Sequence, residues 1–255
     1  MNLNLSAELT RGLMLALMPT ATALIGGLLV EIFRISPRIL DLAMHTAAGV
    51  VFGIVGVELI PEMLKYRPEW LVILIFLAGG AVFLLIDWFT DLIEDMVSEQ
   101  GVRNAPWVIF LGIGFNLLTD GIMIVAGENI AGFGLSLAIA TAVVEFPETF
   151  ATMAAFKRRG ISRRWRIPLS IALAILIMLG AAAGYWLVHG RPQIVVYGTL
   201  AFTAGFLALL MADEILPSAH QEGNKRWSAF LFVLGFAAVA LVSHYISLIQ
   251  KASSG

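Results

Sequence analysis

The chain has 255 residues, 59% of them hydrophobic and 13% charged, with a mean hydropathy of +0.89 and a net charge of −2. A water-soluble domain is closer to half apolar and one quarter charged, so the composition excludes that class and describes an integral membrane protein. There is no cysteine, which excludes disulfides and thiolate metal ligands, and the basic residues gather in one loop instead of forming a nucleic-acid surface.

Apolar runs long enough to cross hydrocarbon, about 20 residues each, follow one another eight times. They lie near residues 12–33, 40–63, 69–90, 106–126, 132–156, 168–189, 194–217 and 227–249. The first, after Arg11, runs on to Val30, longer than the apolar part of a secretory signal, and is read as a span, not a cleaved leader. Turn-forming and charged residues separate the runs, as in Ser36-Pro37-Arg38 and Gly190-Arg191-Pro192. Backbone in lipid must satisfy its own hydrogen bonds, so each run is expected to be helical and the chain to be one all-α polytopic domain over 1–255. Of the 16 Lys and Arg, eleven fall at one set of loop ends, including Lys157, Arg158, Arg159, Arg163, Arg164 and Arg166. The other set holds Arg11, Lys65, Arg67, Arg191 and Lys251, which puts both termini outside.

The second and seventh runs carry one pattern. Ala48-Gly49 precedes Glu58-Leu59-Ile60-Pro61, and Ala204-Gly205 precedes Glu214-Ile215-Leu216-Pro217 at the same spacings. Four spans separate the copies, so they cross in opposite directions. This predicts an inverted repeat of helices 1–3 and 6–8 around helices 4 and 5. Glu58 and Glu214 lie near span ends before prolines and are expected to be reached by water.

Acids concentrate where a span should hold none. Run four contains Asn116, Thr119, Asp120 and Gly121; run five contains Glu145, Pro147, Glu148 and Thr149. Each charge in hydrocarbon costs at least about 3 kcal/mol unless something pairs with it. Asn116 and Asp120 are four apart and Glu145 and Glu148 three apart, so each pair shares a helix face, and the short link near 127–131 makes the helices antiparallel neighbours. Pro147 has no N–H to donate to Val143, whose carbonyl is freed. Three carboxylates, an amide, a hydroxyl and a free carbonyl form a hard, all-oxygen cation site. Asp87 and Asp91 in run three, with Glu94 and Asp95 beyond it, suggest a solvated acidic vestibule at the cytoplasmic end. His45 and His244 are read as packing residues.

These two central segments resemble the ZIP family of divalent metal transporters, in particular its GufA-like bacterial branch. Asn116-Leu117-Leu118-Thr119-Asp120-Gly121 occupies the frame His-Asn-x-x-Asp/Glu-Gly, and Val144-Glu145-Phe146-Pro147-Glu148-Thr149 that of His/Gln-Asn/Asp/Glu-x-Pro-Glu-Gly. The resemblance implies a carrier of zinc, manganese, iron or a similar divalent cation, with Asn116, Asp120 and Glu148 as the main site. Glu145 alone remains of a second. It further implies no cofactor, no enzymatic activity, a bacterial inner-membrane location, a tolerated homodimer, and movement of helices 1, 4, 5 and 6 against 2, 3, 7 and 8. The family histidines are replaced by Asn116 and Val144, and the acid of helix six is missing from Ile177-Met178-Leu179-Gly180. Oxygen ligands alone favour manganese, magnesium or calcium over zinc and iron(II). The missing imidazoles also motivate a non-transporting metal sensor of the same fold. An intramembrane hydrolase using Glu145 and Glu148 lacks a nucleophile with a base, and a carrier of organic cations would need a wider cavity.

Overall fold

The computed structural model describes residues 2–33, 36–99, 106–130, 133–215 and 225–253; within these, the side chains of 2–6, 37, 39–40, 94–99, 106–109, 111, 214–215, 225–226, 247, 249–251 and 253 are not described. Among the described residues every regular element is helical, which agrees with the all-α membrane class. The helices are α1 (Asn2–Ile32), α2 (Pro37–Gly53), α3 (Glu69–Glu99), α4 (Pro106–Glu128), α5 (Phe133–Arg158), α6 (Arg163–Val188), α7 (Gln193–Leu210) and α8 (Lys225–Ser253). A wider, π-helical turn extends α2 over Ile54–Leu59 before a last α turn, Ile60–Met63, and another extends α7 over Met211–Ile215.

Seven stretches among the described residues are long and apolar enough to cross a membrane, from Ala7–Ile32 to Trp227–Ile246, and the chain is a multi-pass membrane protein. The helices overrun the apolar runs at many ends. A run measures the hydrocarbon, whereas a helix keeps its backbone bonds into the headgroup layer. Thus α6 begins at Arg163, ahead of its apolar run, and α3 continues to Glu99, placing Glu94 and Asp95 on the helix instead of after it.

Contacts between helices obey the inverted pairing. Exchanging α1 with α6, α2 with α7, α3 with α8 and α4 with α5 maps the α1–α5 pair onto α4–α6, α2–α8 onto α3–α7 and α2–α5 onto α4–α7, all of which are packed. Glycines mark the same crossings twice. A Cβ on Gly49 of α2 would strike the Phe232 carbonyl of α8, and one on Gly205 of α7 would strike the Phe76 carbonyl of α3. Small residues of this kind let membrane helices approach backbone to backbone. The two π-helical turns sit at equivalent places, one holding Glu58 and the other Glu214. The side chain of Glu214, and all of Leu216 and Pro217, lie outside the described residues.

Two apolar cores result. One is built from α1, α4, α5 and α6 alone, around Leu117, Phe150, Met153, Phe156, Leu173 and Ile177. The other joins α2, α3, α7 and α8 to the inner faces of α4 and α5 and the end of α6, around Leu59, Phe83, Met123, Leu137, Val144 and Phe206. The acids of α4 and α5 lie along the seam between the cores.

Candidate metal centre

The α4–α5 neighbours present their polar residues to one another, as four-residue and three-residue spacings on antiparallel helices require. Asn116, Asp120 and Glu148 line one small cavity of about 10 Å³, room for a single water or ion, with Thr141 and Val144 of α5, Val51 and Ile54 of α2, and Leu207 and Leu210 of α7. The walls from α2 and α7 are apolar. All the side-chain oxygens of this cavity come from α4 and α5.

Asn116 Nδ2 donates to Glu148 Oε1 at 3.0 Å. That bond fixes the amide with its Oδ1 buried and without a partner. The Asn116–Glu148 pair also borders a second cavity of about 40 Å³, lined by Gly112 and Ile113 of α4, Phe83, Ile86, Asp87 and Thr90 of α3, and Phe206 and Leu210 of α7. The hydrogen-bonded pair is therefore the partition between two cavities. Beyond it Asp87 has Asp91 and Asp213 for neighbours, an acidic mouth at that end.

Glu145 lies behind this line. It is 0% exposed, lines neither cavity, and faces the Asp120 carboxyl, close enough to interact with it. Neither of its oxygens has a hydrogen bond of good geometry. Two adjacent carboxyls in a low-dielectric interior repel unless a proton or cation lies between or beside them. Among the described residues no three His, Asp or Glu side chains close on a single point, so a cation here would rely on the amide and hydroxyl oxygens as well.

Several expectations need correction. Thr119 gives its hydroxyl to the Phe115 carbonyl at 2.8 Å and faces a separate apolar groove with Thr199 and Thr203, so it is not the hydroxyl of the site. The hydroxyl that lines the cavity is that of Thr141, whose signal in the sequence is its spacing of four from Glu145 and seven from Glu148. Val143 has half of its surface exposed and lies outside the cavity lining. Glu58 is not reached by water. It is 4% exposed and accepts a bond from Ser136 of α5, with Ser243 of α8 also in reach, because the π-helical turn rotates it inward. His45 is a satisfied packing residue, with Nδ1 2.9 Å from the Asp41 carbonyl.

A profile of the family described as ZIP Zinc transporter matches residues 91–243, more than half of the chain and inclusive of α4 to α7. The chain is 26% identical to zinc transporter ZIP6 of Homo sapiens over 162 residues, covering 59% of this chain and 21% of that protein. It spans about a fifth of the length of that relative. Two bacterial relatives match over most of both chains. Zinc transporter ZupT of Corynebacterium aurimucosum is 21% identical over 241 residues, with 87% of this chain and 91% of the relative covered. ZupT of Chlorobium phaeovibrioides is 24% identical over 242 residues, with 80% and 85% covered. With its acids on the two central helices and its paired outer helices, this chain belongs to the ZIP zinc transporter family.

Proposed function

We propose that the chain carries a divalent metal cation across the membrane through the cavity bordered by Asn116, Asp120 and Glu148, all eight helices crossing the bilayer as one domain. The observation that supports this most is the pair of buried oxygens without a partner on the cavity wall, Asn116 Oδ1 and Thr141 Oγ1, beside the carboxyls of Asp120 and Glu148. Buried polar atoms in a folded chain are almost always paired, and a cluster that is not implies a guest. A divalent ion would be neutralised by Asp120 and Glu148, while amide and hydroxyl oxygens replace part of its water shell.

The two cavities on either side of the Asn116–Glu148 pair support a path in stages. The ion would rest on Asp120 and Glu148, break the Asn116 bond, and pass toward Asp87, Asp91 and Asp213. The separate core of α1, α4, α5 and α6 supports movement of those helices as a body against α2, α3, α7 and α8. By the charge count both termini face outward and the 157–166 loop inward, in a bacterial inner membrane. No cofactor or chemical step is involved, and the chain can serve as a homodimer. With no nitrogen donor to a metal in the site, manganese suits it better than zinc, the metal in the relatives' names.

Uptake of manganese and zinc into proteoliposomes is the test. Saturable flux is expected from the native chain, and none from Asp120→Ala or Glu148→Ala protein that reconstitutes equally well. Full flux from both variants would refute the site.

A further inference from the structure

Threonines in membrane helices satisfy their hydroxyl by donating to the carbonyl one turn back, because nothing else in hydrocarbon accepts the proton. This chain follows that habit. Thr20, Thr46, Thr90, Thr119, Thr149, Thr152 and Thr199 all donate to the carbonyl four residues earlier, at distances of 2.5–2.9 Å. Thr141 does not. Its side chain is 2% exposed, its Oγ1 has no partner, and it lines the cavity with Asn116, Asp120 and Glu148. Thr203 is the other buried threonine without a partner, and it faces the apolar groove on the far side of α4, where no acid is present.

An unpaired buried hydroxyl costs about 1–3 kcal/mol, and Leu137, one turn back, carries a carbonyl within the ordinary reach of such a bond. The side chain of Thr141 points into the cavity instead. A hydroxyl has lone pairs to offer as well as a proton, so a cation in the cavity answers what the helix leaves open. Valine, the same shape without the oxygen, would fill the position at no such cost. The oxygen is therefore what the site keeps.

We infer that Thr141 is a further ligand residue of the central site, supplying a neutral oxygen to the cation between Asp120 and Glu148 and biasing the choice of ion toward manganese over zinc. This rests on the transport reading above. Zinc is bound by imidazole, thiolate and carboxylate in few, short contacts, whereas manganese accepts a larger shell of neutral oxygens. A site with two carboxylates, an amide and a hydroxyl has such a shell.

The experiment is equilibrium binding of manganese and of zinc to the full chain in nanodiscs, comparing native protein with Thr141→Val, Thr141→Ser and Asp120→Ala. Thr141→Val should weaken manganese about tenfold, a loss of about 1.4 kcal/mol, and zinc by less than about threefold, reducing the preference between the ions. Thr141→Ser, which keeps the hydroxyl, should stay within about twofold of native for both. Unchanged manganese affinity in Thr141→Val, with Asp120→Ala binding abolished, would overturn the role of Thr141 and leave the central site standing. Equal weakening of both ions by Thr141→Val and Thr141→Ser would show that the residue only packs, and would overturn it too. Native protein that binds neither ion would refute the transport reading and this inference together. Should the valine variant fail to insert, Thr141→Ala carries the same comparison.

Discussion

Two groups of buried acids in this protein are answered in opposite ways. Near the end of α1, Glu31 receives Arg166 in a fork, Nε to Oε1 at 2.6 Å and a terminal nitrogen to Oε2 at 2.8 Å, with Arg163 also 3.5 Å from Oε2. Lys157 caps the Val30 carbonyl at 2.7 Å, and a second Arg166 nitrogen reaches the Ile161 carbonyl. Both Glu31 oxygens there have a cationic partner, so the group ties α1 to α5 and α6. In the middle of the molecule Asp120 faces another carboxyl, and Glu148 receives a neutral amide. The difference teaches that burial of acids alone says little about function. What separates a clamp from a binding site is whether the protein supplies the counter-charge itself.

Substitutions should divide along that line. The largest effect is expected from Glu148→Gln, which keeps the shape and removes a charge: manganese flux should fall at least about a hundredfold, since one direct charge contact is worth about 3 kcal/mol. Asp120→Asn should lose flux to a similar degree and also raise the melting temperature, because it relieves the repulsion with Glu145, as functional sites commonly cost stability. A melting temperature that drops on Asp120→Asn would mean that the pair is structural. Arg166→Leu should do the reverse at the clamp. It strands Glu31 and should cost about 3 kcal/mol of stability, with the apparent affinity of the surviving protein for manganese unchanged. The smallest effect is expected at Glu58, where serines already provide partners: Ser136→Ala should cost about 1 kcal/mol and leave flux at saturating metal near native. Loss of metal affinity in Ser136→Ala would place Glu58 with the binding group instead.

The helices, their pairing and the polar faces of α4 and α5 were legible because each depends on local spacing. Asn116 and Asp120 at four apart could only share a face, and the matching Gly-to-Glu spacings in α2 and α7 foretold the inverted repeat, in which Gly49 and Gly205 make equivalent crossings. The features that escaped depend on rotation about a helix axis by less than one residue. The π-helical turn at Ile54–Leu59 swings Glu58 from a water-reached end into the protein toward Ser136, and no composition signal marks such a turn. Glu145 and Glu148, three apart, share a face only within about 60°, enough to put Glu148 on the partition and Glu145 behind it. Thr141 was passed over because threonine in a membrane helix ordinarily bonds its own backbone. Its exception shows only in three dimensions.

The most direct test of the central claim is anomalous X-ray scattering at the manganese edge from crystals of the full chain soaked in manganese. The account predicts a peak in the cavity between α4 and α5, within about 2.3 Å of oxygens of Asp120 and Glu148. A peak at Glu58, or among Asp87, Asp91 and Asp213, with none beside Asp120 and Glu148, would contradict it.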